Sequence, residues 1–178
     1  MNSLGVVDYG VGNLQSVCNA LNKVGVRWGL VSEPRDIAVH NSLLLPGVGA
    51  FGPAVSRMDE AGLTNDVKSA ADGGVPLLGI CLGMQLLSEG SEESGGVAGL
   101  GLIPGSTRAL LEETGSTNTG FRTVSLAATT NGLSDSRSRD YYFNHGYHVV
   151  PAAPSAIAGS CEWRGTAVVA ALSSGTVH

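Results

Sequence analysis

From Val75 to Ile80 the chain carries no polar side chain, and the run feeds straight into Gly79-Ile80-Cys81-Leu82-Gly83. An apolar stretch of this kind reads as a strand buried on both faces, the mark of a parallel sheet covered by helices. Leu82 to Ser88 then reads as a helix. The chain must therefore turn sharply from strand to helix at Cys81, and the glycines on either side make such a turn feasible.

The residues before this point repeat the same alternation. Leu4 to Asp8 is a short apolar strand. Asn13 can cap a helix that carries Leu14, Val17, Leu21 and Val24 at helical spacing. Val26 to Val31 and Ser42 to Leu45 are further strands, the second ended by "PGVGAFG". Thr64 to Ala71 reads as a helix stopped at Gly73-Gly74. Strand and helix in this order predict a doubly wound α/β sheet. After Glu89 the pattern changes. "GSEESGGVAGLG" is a glycine and serine loop, and strands dominate beyond it: Phe121 to Ala127, Tyr141 to Phe143, Tyr147 to Val150, Ile157 to Trp163 and Ala167 to Leu172. Asn131-Gly132 is a turn signal between two of them. No repeat or linker divides residues 1–178, so a single domain is expected.

Composition narrows the function. The net charge is −5, which favours neither nucleic acid nor an anionic membrane as partner. No apolar run is long enough to span a bilayer. "MNSLGVVDYG" lacks the basic start of a signal peptide. Cys18, Cys81 and Cys161 are an odd, widely spaced set, which reads as reduced thiols in a cytoplasmic protein without a zinc pattern.

The chemistry gathers at Cys81. A nucleophile flanked by glycines two positions before and two after, on a strand-to-helix turn, is lifted above the carboxyl edge of the sheet. There the helix N-terminus favours thiolate, and the amide of Leu82 can donate to an oxyanion. A buried core cysteine is the competing reading. The loop "PGVGAFG", Pro46 to Gly52, emerges at the same edge and can supply a second oxyanion donor; an ordinary turn is its alternative. "DYGVGN" lies there too. It lacks the third glycine of a dinucleotide loop, since position 15 is Gln15, so that cofactor is rejected. In "YYFNHGYHVV", His145 and His148 are three apart. In one strand they would point to opposite faces and could not share a metal, so structural or interface roles are expected.

Taken together, "DYGVGNLQSV", "LLLPGVGAFG", "PLLGICLGMQLL", "GLGLIPG" and "NHGYHVVP" resemble the glutamine amidotransferase subunit of imidazole glycerol phosphate synthase, a class I glutamine amidotransferase. The blocks occur in family order along the whole chain. The resemblance implies a flavodoxin-like fold, with a mostly parallel central sheet, helices on both faces and a β-rich C-terminal half. It implies a cysteine that attacks the side-chain amide of glutamine and releases ammonia. The ammonia passes to a cyclase subunit of (β/α)8-barrel type in histidine biosynthesis. Carried over by motif, Cys81 is the nucleophile, Val48, Gly49 and Leu82 form the oxyanion region, and Gln85 contacts glutamine. Gly47 and Tyr147 line the same pocket. No metal or organic cofactor is implied.

The sequence departs from the family twice. The family closes its site with "GxQFHPEKS", whose histidine is the base and whose glutamate orients it. The chain ends in "VVAALSSGTVH", and Ala171 to His178 matches the segment just before that motif. The expectation is a domain truncated at its C-terminus and weak as a catalyst, with His178 not serving as the base. A cysteine with no base beside it is mostly thiol at neutral pH, and ammonia would lack a proton donor. Second, "STNTGFRTV" keeps Gly120 and has Phe121 for the family tryptophan, but lacks its proline and histidine. That segment lies near the family's partner-facing side. A catalytically silent docking or regulatory module, a related amidotransferase with another ammonia acceptor, and a different cysteine enzyme using His145 or His178 are the rival readings.

Overall fold

The computed structural model describes residues 3–110, 117–127 and 138–178. The expected alternation is present. Strand β1 (Leu4–Val7), helix α1 (Leu14–Lys23), β2 (Trp28–Val31), β3 (Ser42–Gly47), α2 (Phe51–Glu60), α3 (Leu63–Asp72), β4 (Leu77–Cys81) and α4 (Leu82–Leu86) follow in order. The four strands form a parallel sheet in the order β2-β1-β3-β4. Asn13 caps α1 as its sequence suggests, its side chain accepting from the Ser16 amide at 3.2 Å. Gly73 ends α3, and Gly74 takes a positive φ of 89° just beyond it.

The second half is antiparallel. It contains β5 (Gly105–Ala109), β6 (Asn118–Leu126), β7 (Arg139–His145), β8 (Tyr147–Pro151), β9 (Ile157–Trp163) and β10 (Thr166–Leu172). Among the described residues, β10-β9-β6-β7 is one sheet and β5-β8 a second, two-stranded one. The Asn131-Gly132 turn lies outside the described residues. The last residues return to the parallel sheet. His178 donates its amide to Leu77 and accepts from Gly79, at 2.9 and 2.8 Å, so residues 176–178 run along the outer edge of β4.

One core joins the parallel sheet to its helices through Val7, Leu43, Leu45, Phe51, Met58 and Leu77, all almost fully buried. A smaller cluster of Leu110, Val124, Cys161, Trp163 and Val168 holds the antiparallel sheet. These clusters remove apolar surface from water at about 25 cal/mol per Å2.

Two details depart from the sequence reading. Helix α2 was not expected, because its second and third residues are Gly52 and Pro53. Pro is tolerated in a first turn, where no intrahelical N–H bond is lost. Strand β4 is not buried on both faces. Leu77 and Gly79 are covered, while Leu78 and Ile80 are 38% and 43% exposed. Their face borders a cavity rather than a helix.

Candidate active site

Cys81 closes β4 and caps α4 with φ 57° and ψ −113°. A side chain rarely adopts such a φ, and the strain is of order 1–3 kcal/mol. The two flanking glycines explain how the turn is made. A Cβ on Gly79 would sit 2.8 Å from the backbone of Gly83, and a Cβ on Gly83 would overlap the Leu45 carbonyl oxygen. The pattern of glycines around Cys81 is therefore a packing requirement as well as a conformational one. The elbow leaves Cys81 exposed while Leu82 and Gly83 are buried.

β3 delivers the second loop to the same point. Gly47 stands opposite Cys81 in the sheet register. A Cβ on Gly47 would meet the Tyr9 hydroxyl at 2.6 Å and the Gly83 amide nitrogen at 3.0 Å. Gly49 has φ 100°, and Val48 is half exposed beside it. Tyr9, in the loop after β1, donates its hydroxyl to the Pro46 carbonyl at 2.8 Å. Burial pushes the Tyr9 hydroxyl far above its ordinary range, and Cys81 adds to the shift. The hydroxyl thus stays protonated as a donor. Sequence reasoning missed Tyr9; its one signal was its place in "DYGVGN", on the edge shared with Cys81.

Cys81 opens on a cavity of about 470 Å3 between β4 and the antiparallel sheet. Gln85, Tyr147 and Met84 line it, and so do His145, His148 and His178. The two histidines of "NHGYH" were expected on opposite faces. They share this cavity because β7 ends at His145 and β8 begins only after Gly146, so the strand alternation does not carry across. Burial lowers the pKa of His145, opposed by its bond to the Tyr147 carbonyl. Burial lowers His148 as well; His145 adds to the shift and Glu92 opposes it. Gln85 is buried and donates Nε2 to the Tyr147 carbonyl at 3.2 Å. No hydrogen bond joins the Cys81 thiol to an imidazole among the described residues. Among them, too, no group of three His, Cys, Asp or Glu side chains could hold a metal ion.

An exposed thiol at a strained elbow, two glycine-rich loops and a closed-in polar glutamine suit acyl transfer through a covalent intermediate. Comparison with known proteins agrees. The family model "Glutamine amidotransferase class-I" matches residues 5–174. A protein of Moorella thermoacetica, "Imidazole glycerol phosphate synthase subunit HisH", is 38% identical over 92% of this chain and 78% of its own length. Proteins of the same name from Synechococcus elongatus and Bacillus licheniformis are 38% and 37% identical. They cover 95% and 98% of this chain, and 79% and 85% of their own lengths. Two solved structures share the fold at low identity. "Crystal structure of glutamine amidotransferase" has a TM-score of 0.76 at 16% identity, covering 99% of this chain and 87% of its own. "Structure of PurLQS from Thermotoga maritima" has 0.71 at 18%, covering 99% and 85%.

Proposed function

The chain belongs to the class-I glutamine amidotransferase family, and from that premise we propose that it is the glutaminase subunit of an imidazole glycerol phosphate synthase. The observation that carries the proposal is Cys81, strained at a strand-to-helix elbow and open to the cavity. The Cys81 sulfur attacks the side-chain amide carbon of glutamine. The C=O electrons move onto oxygen, where the backbone amides of Val48, Gly49 and Leu82 are the nearby donors. The oxyanion collapses, the C–N bond breaks, and the nitrogen leaves as ammonia carrying the proton that the Cys81 thiol gave up. Water then attacks the thioester, restoring the thiol and releasing glutamate. Gln85 contacts the amino-acid end of the substrate, and Gly47 and Tyr147 shape the pocket around it.

Ammonia is consumed by a cyclase partner of (β/α)8-barrel type, in the histidine-forming pathway and in the cytoplasm. The relatives' name supports the partner, since it describes a subunit. An exposed aromatic pair supports it as well. Phe121 and Tyr142 meet edge to face at 5.3 Å on β6 and β7, although both are more than half exposed. Among the described residues no imidazole bonds the Cys81 thiol, and this favours a second reading, a chain that binds glutamine and a partner without turnover.

The deciding assay measures glutamate release by the chain together with a purified cyclase subunit. The proposal expects release that disappears in Cys81→Ala. Release unchanged by that substitution overturns it. A stable complex with no release selects the second reading.

A further inference from the structure

Val48, Gly49 and Ala50 are exposed, and a Cβ on Gly49 would meet no atom within 4 Å. Their backbone amides therefore take their place from the two ends of the loop. One end is the start of α2, where Glu93 and Ser94 accept from the Phe51 and Gly52 amides. The other end is Pro46 and Gly47, where β3 loses a strand partner on one side. Its pairing with β1 runs from Leu4–Ser42 to Val6–Leu44 and stops, while its pairing with β4 continues to Gly47–Cys81. Two residues past Leu44 the Tyr9 hydroxyl donates to the Pro46 carbonyl at 2.8 Å, so a side chain takes over where the ladder ends. Tyr9 is only 3% exposed, which leaves water little access to replace that bond. Gly47 is closed in beside it. A Cβ there would lie 2.6 Å from the Tyr9 hydroxyl and 3.0 Å from both the Gly83 nitrogen and the Leu82 Cβ. Gly47 thus sits between Tyr9 and the first turn of α4.

We propose that Tyr9 is a positioning residue that pins the Pro46–Gly47 peptide against the Cys81 elbow, and so holds the Val48 and Gly49 amides in one oxyanion site with the Leu82 amide. This role rests on the glutaminase reading above. Donors stabilise a developing charge best when they are fixed before the charge forms, and a shift of about 1 Å costs much of their effect. Tyr9 acts here through the loop, not on the sulfur or the substrate. Loss of its hydroxyl therefore weakens the tetrahedral state and spares binding of the planar amide. Burial keeps the hydroxyl protonated, so it is a standing donor to Pro46.

The test needs no turnover and is run with a purified cyclase subunit present. Iodoacetamide alkylates Cys81, and the fall in that rate as a ligand is added gives the ligand's affinity. Two ligands of one shape are compared. 5-Oxopentanoate carries an aldehyde where glutamine has its carboxamide. The Cys81 sulfur bonds to the aldehyde carbon, the C=O electron pair moves onto oxygen, and the thiol proton passes to that oxygen through water. 5-Amino-5-oxopentanoate carries the amide and fills the same space without adding. Tyr9→Phe removes the hydroxyl and keeps the ring. Its aldehyde affinity is expected to fall about 5- to 10-fold, with amide affinity within about twofold and the ligand-free iodoacetamide rate level. Val7→Ala opens the core on β1 without removing that hydrogen bond, and should lose stability yet keep the wild-type ratio of the two affinities. An unchanged ratio in Tyr9→Phe overturns the positioning role and leaves the glutaminase reading intact. So does an equal loss in Val7→Ala, which marks a general loosening, or a parallel fall in the iodoacetamide rate, which places the effect on the thiol. A wild-type aldehyde affinity no higher than the amide's overturns it too, because no oxyanion site is then formed. If glutamine itself does not protect wild-type Cys81, the glutaminase reading fails and this inference fails with it.

Discussion

Cys81 is held in a backbone conformation that its own side chain opposes. Arg164, at φ 51°, is the one other non-glycine residue with positive φ among those described. The strain at Cys81 predicts an order of stability that contacts alone would not give. Cys81→Gly should be more stable than Cys81→Ala by about 1 kcal/mol, because glycine accepts the φ and alanine does not. Urea denaturation of the two variants reads the difference. Equal midpoints and slopes would mean the elbow is unstrained. The glycines flanking Cys81 made the elbow legible in the sequence, since few other arrangements need small residues at both 79 and 83. The Leu82 amide and the loop Pro46 to Gly52 were read from pattern, while Gly47, Val48 and Gly49 individually, with Gln85 and Tyr147, came with the family resemblance; Gly47 pairs with Cys81 in the sheet, and Gln85 and Tyr147 line the cavity. Their roles toward glutamine are the proposal to be tested. Tyr9 was not legible. It acts through one long-range hydrogen bond, to the Pro46 carbonyl, and no local pattern marks such a partner.

At the scale of elements, periodicity found what was locally complete. The apolar stripe and Asn13 defined α1, and Gly73-Gly74 closed α3. Helix α2 went unread because its start is completed from elsewhere in the chain. Its N-cap, Ala50, offers no side chain. Glu93 accepts from the Phe51 amide at 2.8 Å, and Ser94 accepts from the Gly52 amide at 3.0 Å. The glycine and serine loop after α4 is therefore the cap of α2. Glu93→Ala should cost about 1 kcal/mol, combining a lost cap with a lost charge at a helix N-terminus. A denaturation curve checks this, and an unshifted midpoint would mean the cap contributes nothing. Strand β4 misled for a related reason. An apolar residue facing a cavity and one facing a helix look alike in sequence, so Leu78 and Ile80 were assigned to a covered face.

At the scale of the molecule, two sheets face each other across the cavity and place His145 and His148 within it. Both imidazoles have lowered pKa values through burial. Below the ordinary imidazole value of about 6.5, the unfolded chain takes up protons that the folded chain resists. Stability is therefore full above that value and falls as the pH drops through it toward the folded values. Melting temperature should decrease from pH 7.5 to pH 5.5, and the slope should flatten in a chain carrying His145→Asn and His148→Gln. A slope unchanged by that pair would assign the loss to other groups. The parallel sheet, the β-rich second half and the strand-to-helix turn at Cys81 all followed from pattern. The cavity did not, because it forms between halves whose packing no local signal encodes.

Of the three free cysteines, Cys81 alone is expected to meet glutamine as a nucleophile. The most direct measurement incubates the chain with a diazo-ketone analogue of glutamine, with and without excess glutamine, and maps the added mass by peptide mass spectrometry. One adduct is expected, on the peptide containing Cys81, suppressed by glutamine and absent from Cys18 and Cys161. Labelling spread over the three thiols, or labelling of Cys81 that glutamine does not suppress, would contradict it.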